Sequence, residues 1–191
     1  MSAWKTLASK PVLSFGRWLA VEERTVQTPT GQIIEHWPWV TSPDFVNVLA
    51  VTAEGQYLVF RQQKYGLEGE SLAPVGGYIE LGEAPLEAAR RELLEETGYE
   101  ADDWQLLGQF RMDPNRGLAV GTLYLARSAR HVAEPHADDL EELDLLLMDR
   151  SQLEAALRAG QFKVLSWSAN VALALLFGGW SGSGQLPHTD G

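Results

Sequence analysis

The chain has 191 residues, 45% of them hydrophobic, enough for one globular domain with a sizeable core and no need of covalent staples. A formal net charge of −11 argues against a nucleic-acid partner, because phosphate backbones are held by clustered Lys and Arg. With no cysteine there is neither a disulfide framework nor a thiolate metal site, and the N-terminal MSAWKTLASK lacks the apolar run of a secretory signal, so a cytoplasmic protein is expected.

Residues from about Phe15 to Val40 read as two β segments around a turn at Thr28-Pro29-Thr30-Gly31, where proline presets one dihedral and glycine permits the reversal. Two further strands, Phe45 to Thr52 and Tyr57 to Gln62, flank Ala53-Glu54-Gly55; their β-branched and aromatic content suits buried pairing. A polar loop from Lys64 to Pro74 leads into Val75-Gly76-Gly77, where missing side chains let the backbone approach a ligand or metal closely. A helix begins near Pro85, since proline is favoured at the first helical position, and Gly98 supplies its stop. Beyond it, Trp104 to Phe110, Thr122 to Ala126 and Leu143 to Met148 read as strands, and Ser151 to Ala159 and Val164 to Phe177 as helices. The apolar run Val171 to Phe177 is too short for a bilayer, which needs about 20 such residues, so no membrane partner is expected. Residues 178–191 are rich in Gly and Ser and read as a flexible tail. Periodicity alone establishes a mixed α/β or α+β domain.

The helix from Pro85 concentrates the chemistry. Glu92, Glu95 and Glu96, three and four positions apart, share one sector of its surface, and three carboxylates converging there would make a divalent-metal site. Leu86, Ala89 and Leu93 form an adjacent apolar stripe that can pack on the body of the domain. Three nearby glutamates on their own more often form a solvated acidic face. Here Gly77, Glu83, Arg91 and Gly98 stand at fixed offsets around them. At background frequencies of roughly 5–7% per residue, seven such matches arise by chance about once in 10⁸ starting points, which favours the metal site.

That spacing, GYIELGEAPLEAARRELLEETGY from Gly77 to Tyr99, resembles the Nudix box: Gly, five residues, Glu, seven residues, Arg-Glu, an aliphatic, any residue, Glu-Glu, any residue, Gly. The resemblance implies an α/β/α sandwich with a mixed sheet, here preceded by an N-terminal β extension over residues 1–44, with the Nudix domain over 45–177. It implies a Mg²⁺- or Mn²⁺-dependent pyrophosphohydrolase, with Glu92 and Glu96 as metal ligands, Glu95 beside them and the Gly76 carbonyl as a backbone ligand. Hard divalent cations take carboxylate oxygens and keep waters, one of which can serve as nucleophile. Arg91, four residues before Glu95, is expected to orient it by an intrahelical ion pair. Glu83 either binds metal or a neighbouring backbone group. Members of the family often recruit a later acidic residue as base or extra ligand, and Glu141 in Asp138-Asp139-Leu140-Glu141-Glu142 is the candidate; an exposed acidic loop is the alternative.

The long extension, Arg61-Gln62-Gln63-Lys64 before the catalytic loop, and Pro114 after the box are similar to the ADP-ribose and nucleotide-sugar pyrophosphatase branch. The branch implies a homodimer formed through the extension, a nucleoside diphosphate derivative as substrate, and Trp37 and Trp39 either stacking on its base or packing in the core. Arg61, Lys64 and Arg116 are either phosphate contacts or surface cations. Asn115-Arg116-Gly117 after Pro114, and Lys64 in place of a common Arg, depart from strict ADP-ribose enzymes. Alternatives are a nucleoside triphosphate pyrophosphohydrolase and a non-catalytic nucleotide sensor. No phosphate loop ending in Gly-Lys-Ser/Thr and no Gly-x-Ser-x-Gly elbow supports a kinase or esterase.

Overall fold

The structure is a computed structural model that describes residues 3–136 and 143–177; the acidic segment with Glu141 and the tail lie outside the described residues. It opens with β1 (Lys5–Phe15), β2 (Leu19–Gln27) and β3 (Ile33–Thr41), an antiparallel sheet in the order β1-β2-β3. The expected turn joins β2 to β3: Gly31 has φ 91°, and the Thr28 N–H donates to the Gln32 carbonyl at 2.9 Å. Sequence reading missed β1, whose residues are all exposed, so burial imposes no alternation to read. Pro11 is tolerated there because β1 is an edge strand, and the register slips beside it.

The main sheet contains β4 (Phe45–Thr52), β5 (Tyr57–Gln63), β6 (Glu70–Ala73), β7 (Val75–Tyr78), β8 (Tyr99–Glu100), β9 (Asp103–Arg111), β10 (Val120–His131) and β11 (Asp144–Met148). Its spine runs β11-β5-β4-β10-β8, with β6 on β5, β7 on β4 and β9 on β10. The β4–β10 pair is parallel and its neighbours antiparallel, so the sheet is mixed. The expected loop Lys64 to Pro74 contains β6, a strand too short to be legible by period.

Among the described residues three helices cover the sheet: α1 (Pro85–Thr97), α2 (Arg150–Arg158) and α3 (Leu165–Phe177). Val46, Val48, Leu58 and Phe60 form one core with Ala88, Ala89 and Leu93 of α1. Leu49, Tyr57, Val59 and Leu125 form a second with Leu153 of α2 and Val171 and Ala174 of α3. Side chains alternate along a strand, so β4 and β5 feed both cores, which is why both segments read as near-continuous apolar runs. The result is the α/β/α sandwich. Leu93 is fully buried, and truncating such a residue to Ala costs about 2–5 kcal/mol, so α1 is fixed by its apolar stripe. Among the described residues no helix is long and apolar enough to cross a membrane.

Candidate active site

Strand β7 lies antiparallel to β4, with Gly76 opposite Asn47 and Gly77 opposite Val46, and it packs beside α1. A Cβ at Gly77 would collide with the Glu92 carboxylate, and one at Gly76 with the Val46 carbonyl and the Asn47 amide. Neither glycine has a left-handed backbone, so close packing, not dihedral freedom, requires them.

Arg91 gathers the groups around this contact. Its Nε and Nη2 grip the two oxygens of Glu83 at 2.9 and 3.0 Å, a bidentate fork. Its Nη1 donates to Glu92 at 2.8 Å and Glu95 at 3.1 Å, and Nη2 also donates to the Tyr78 carbonyl at 3.2 Å. Glu83 accepts the Glu80 N–H at 2.9 Å as well. The guanidinium beside it holds the Glu83 carboxyl below its ordinary range, and Glu83, foremost among the acids, raises Arg91. Helical spacing foretold the Arg91–Glu95 pair but not the fork to Glu83, which lies eight residues back and outside the helix. Glu83 thus engages Arg91 and a neighbouring backbone group.

The expectation that three carboxylates meet at one point needs correction. Glu92 and Glu95 turn onto Arg91, while Glu96 accepts the Gly76 N–H at 3.2 Å. Among the described residues no trio of carboxylates or imidazoles stands close enough to hold an ion as placed. The donor set nevertheless fits a hard divalent cation: it is all oxygen, and the tight Gly77–Glu92 contact brings the Gly76–Gly77 backbone against the acidic face of α1.

The end of α1 is tied down from outside. Gly98 has φ 70°, and its N–H closes the helix on the Leu94 carbonyl at 2.8 Å. The N–H groups of Val132 and Ala133 donate to the Gly98 carbonyl at 2.8 and 3.1 Å, and that of His136 to the Glu95 carbonyl at 2.8 Å. The Ala133 carbonyl packs so closely on Gly98 that no Cβ fits. Sequence reading gave no role to this strap, residues 132–136, because it acts through its backbone. No basic side chain stands in the last turn of α1, which carries Glu95 and Glu96.

The remaining predicted residues fall into separate groups. Trp37 and Trp39, both half-buried, line an open cavity of about 340 Å³ with Trp4, Arg24 and Asn115. Trp37 packs 5.7 Å from Trp4 and donates its indole N–H to the Asn115 carbonyl at 3.0 Å, while the Arg24 guanidinium lies 4.1 Å from the centre of the Trp39 ring. Trp4 was missed because it precedes every expected element. Arg116 is exposed and paired with Asp113 at 3.1 Å; Lys64 is half-buried. Arg61 follows Tyr57 and Val59 on the face of β5 turned toward α3, so the structure does not group it with the acidic face of α1. At the β1–β2 tip, Trp18 packs edge-to-face on Tyr78 at 5.3 Å, joining the N-terminal sheet to the loop that Arg91 holds.

The NUDIX domain matches residues 41–168. A methanol dehydrogenase activator of Bacillus methanolicus is 32% identical over 147 residues, 74% of this chain and 78% of its own length. An ADP-ribose pyrophosphatase of Bacillus subtilis (strain 168) is 29% identical over 178 residues, 91% of each chain. An ADP-sugar pyrophosphatase of Mus musculus is 31% identical over 119 residues, 56% of this chain and 54% of its own. A crystal structure of an ADP compounds hydrolase superposes with a TM-score of 0.74 over 91% of this chain and 93% of its own, at 20% identity, a likeness of fold.

Proposed function

Because the chain belongs to the NUDIX family and is a Nudix hydrolase, we propose that it cleaves the diphosphate of a nucleoside diphosphate linked to another moiety, ADP-ribose or a nucleotide sugar first. The products are a nucleoside monophosphate and a phosphorylated remainder. The observation that carries this reading is the Arg91 knot on the acidic face of α1, set directly against Gly76 and Gly77. Two relatives named for ADP-ribose and ADP-sugar pyrophosphatase activity support the substrate class.

Glu92, Glu96 and the Gly76 carbonyl would hold Mg²⁺ or Mn²⁺, with Glu95 alongside. Bound there, the cation would neutralise phosphate charge and acidify water. Arg91 aims Glu92 and Glu95 through its hydrogen bonds, and Glu83 keeps Arg91 in place. Lys64 and Arg116 would meet substrate phosphates. Glu141, which follows the strap in the chain, is proposed as general base or further ligand. The Trp37–Trp39 cavity, at about 340 Å³, lies within the usual range of roughly 300–1,000 Å³ for small-molecule sites and offers indole faces to a base. The β1–β2–β3 sheet exposes Leu7, Val12, Leu13 and Phe15, apolar surface suited to a second copy of the chain, so a homodimer is proposed.

The test is hydrolysis of ADP-ribose, nucleotide sugars, dinucleoside polyphosphates and nucleoside triphosphates with Mg²⁺ or Mn²⁺, products resolved by chromatography. Metal-dependent release of AMP and ribose phosphate from ADP-ribose, lost in folded Glu96→Gln, supports the proposal. Release of pyrophosphate from triphosphates would replace the substrate class, and tight binding without turnover would make the protein a sensor.

A further inference from the structure

A second cavity, of about 380 Å³, opens on the opposite face of the sheet from α1, between β5, β6, β11 and the loop joining α2 to α3. None of its lining residues comes from α1 or β7. Arg61 enters it from β5, and among the described residues its guanidinium meets no hydrogen-bond or ion-pair partner. Lys163 enters from the α2–α3 loop, held by a single hydrogen bond of its ammonium to the Glu68 carbonyl at 2.5 Å, which leaves further N–H groups and its charge available. Two cations from distant parts of the chain thus share one concavity in a protein whose net charge is −11. The Glu70 carboxylate and the Gln161 amide stand on the same wall, while Leu72 and Met148 give it an apolar side.

We propose that this cavity binds a small phosphorylated sugar or polyol. Arg61 and Lys163 supply the fork and the point charge that hold a phosphate. Glu70 and Gln161 accept and donate to hydroxyls, and Leu72 and Met148 meet the C–H face of the ring. Glu70 distinguishes this ligand from a free phosphate: a carboxylate repels a bare anion but accepts hydrogen bonds from hydroxyls beside it. The site is independent of the metal-binding face, so it survives whatever the substrate of the catalytic site proves to be.

The test is a titration of the full-length protein with ribose 5-phosphate, inorganic phosphate and ribose, followed through backbone amide NMR shifts. Ribose 5-phosphate should shift Leu72, Gly160 and Gln161 and bind more tightly than phosphate or ribose alone. The Arg61→Gln/Lys163→Gln pair should weaken it at least about tenfold, the usual consequence of losing charged hydrogen bonds. Ala159→Glu, which adds a carboxylate at the cavity wall on a surface residue, should do the same, and Glu96→Gln should leave it unchanged. Shifts confined to Gly76, Gly77 and α1, or undiminished binding in both cavity variants, would overturn the site. Equal affinity for inorganic phosphate would overturn the sugar component.

Discussion

Replacing Arg91 by Lys keeps the charge and removes the fork, and so isolates geometry from electrostatics. Arg91 makes five hydrogen bonds, to both oxygens of Glu83, to Glu92, Glu95 and the Tyr78 carbonyl. A lysine has three N–H groups on one atom and cannot span Glu83 and the other three acceptors together. At least two bonds are lost. The side chains of Arg91 and Glu83 are 26% and 16% exposed, so each lost charged bond counts near the lower end of its range, about 1.5 kcal/mol, or ~3 kcal/mol together. Glu95 is 49% exposed, and its pair adds only tenths because water screens it. For a domain of this size ~3 kcal/mol corresponds to a melting temperature roughly 6–12 °C lower. Loosening groups that orient metal ligands typically costs about 10–100-fold in activity or metal affinity. Differential scanning fluorimetry and a metal-dependence curve of the hydrolysis rate would measure both effects. An Arg91→Lys protein that melts within about 2 °C of the parent and keeps its rate within about twofold would refute the view that the fork organises the site.

Three further outcomes follow from the same geometry. Glu83 has its carboxyl depressed below 4.5 by Arg91; a depressed acid stabilises the fold above its unfolded value and loses that contribution as pH falls through the folded one. Urea denaturation of the wild type should therefore weaken below about pH 4.5, and Glu83→Gln should flatten that acid limb, with the depressed Asp113 and Asp149 leaving a remainder. Gly98→Ala, which places a Cβ at φ 70° against the Ala133 carbonyl, should cost at least about 1–3 kcal/mol by chemical denaturation; a neutral effect would show that the strap yields. Val12→Glu with Phe15→Glu should convert the proposed dimer to a monomer in light scattering, since both side chains are about 60% exposed on β1; an unchanged mass at dimer size would place the interface elsewhere.

Helix α1 was legible because its signals are local: Pro85 at the start, Gly98 at the stop, an apolar stripe and an acidic sector at helical spacing. Strands β4, β5 and β11 were legible by content. What escaped was non-local or unpatterned. Strand β1 is exposed throughout and has no period; the Arg91–Glu83 fork joins a helix to the loop before it; the Trp18–Tyr78 contact joins residues 60 positions apart. Arg61 shows the same limit in reverse. Its place beside the catalytic loop in sequence says nothing about which face of β5 it occupies, and side-chain alternation sends it to the far side.

The polarity of α1 bears on how the protein balances work against stability. Peptide dipoles leave negative partial charge at a helix C-terminus, and a charged group there contributes about 0.3–1 kcal/mol, unfavourably when it is an acid. Here Glu92, Glu95 and Glu96 crowd toward that end with no basic side chain in the final turn. The helix is thus charged against its own field, restrained by Arg91, by the buried Leu93 and by the backbone strap from β10. If the cation of the proposed reaction binds at this end, it would offset both the carboxylate charges and the negative pole of the helix, so metal binding and the stability of α1 would be coupled.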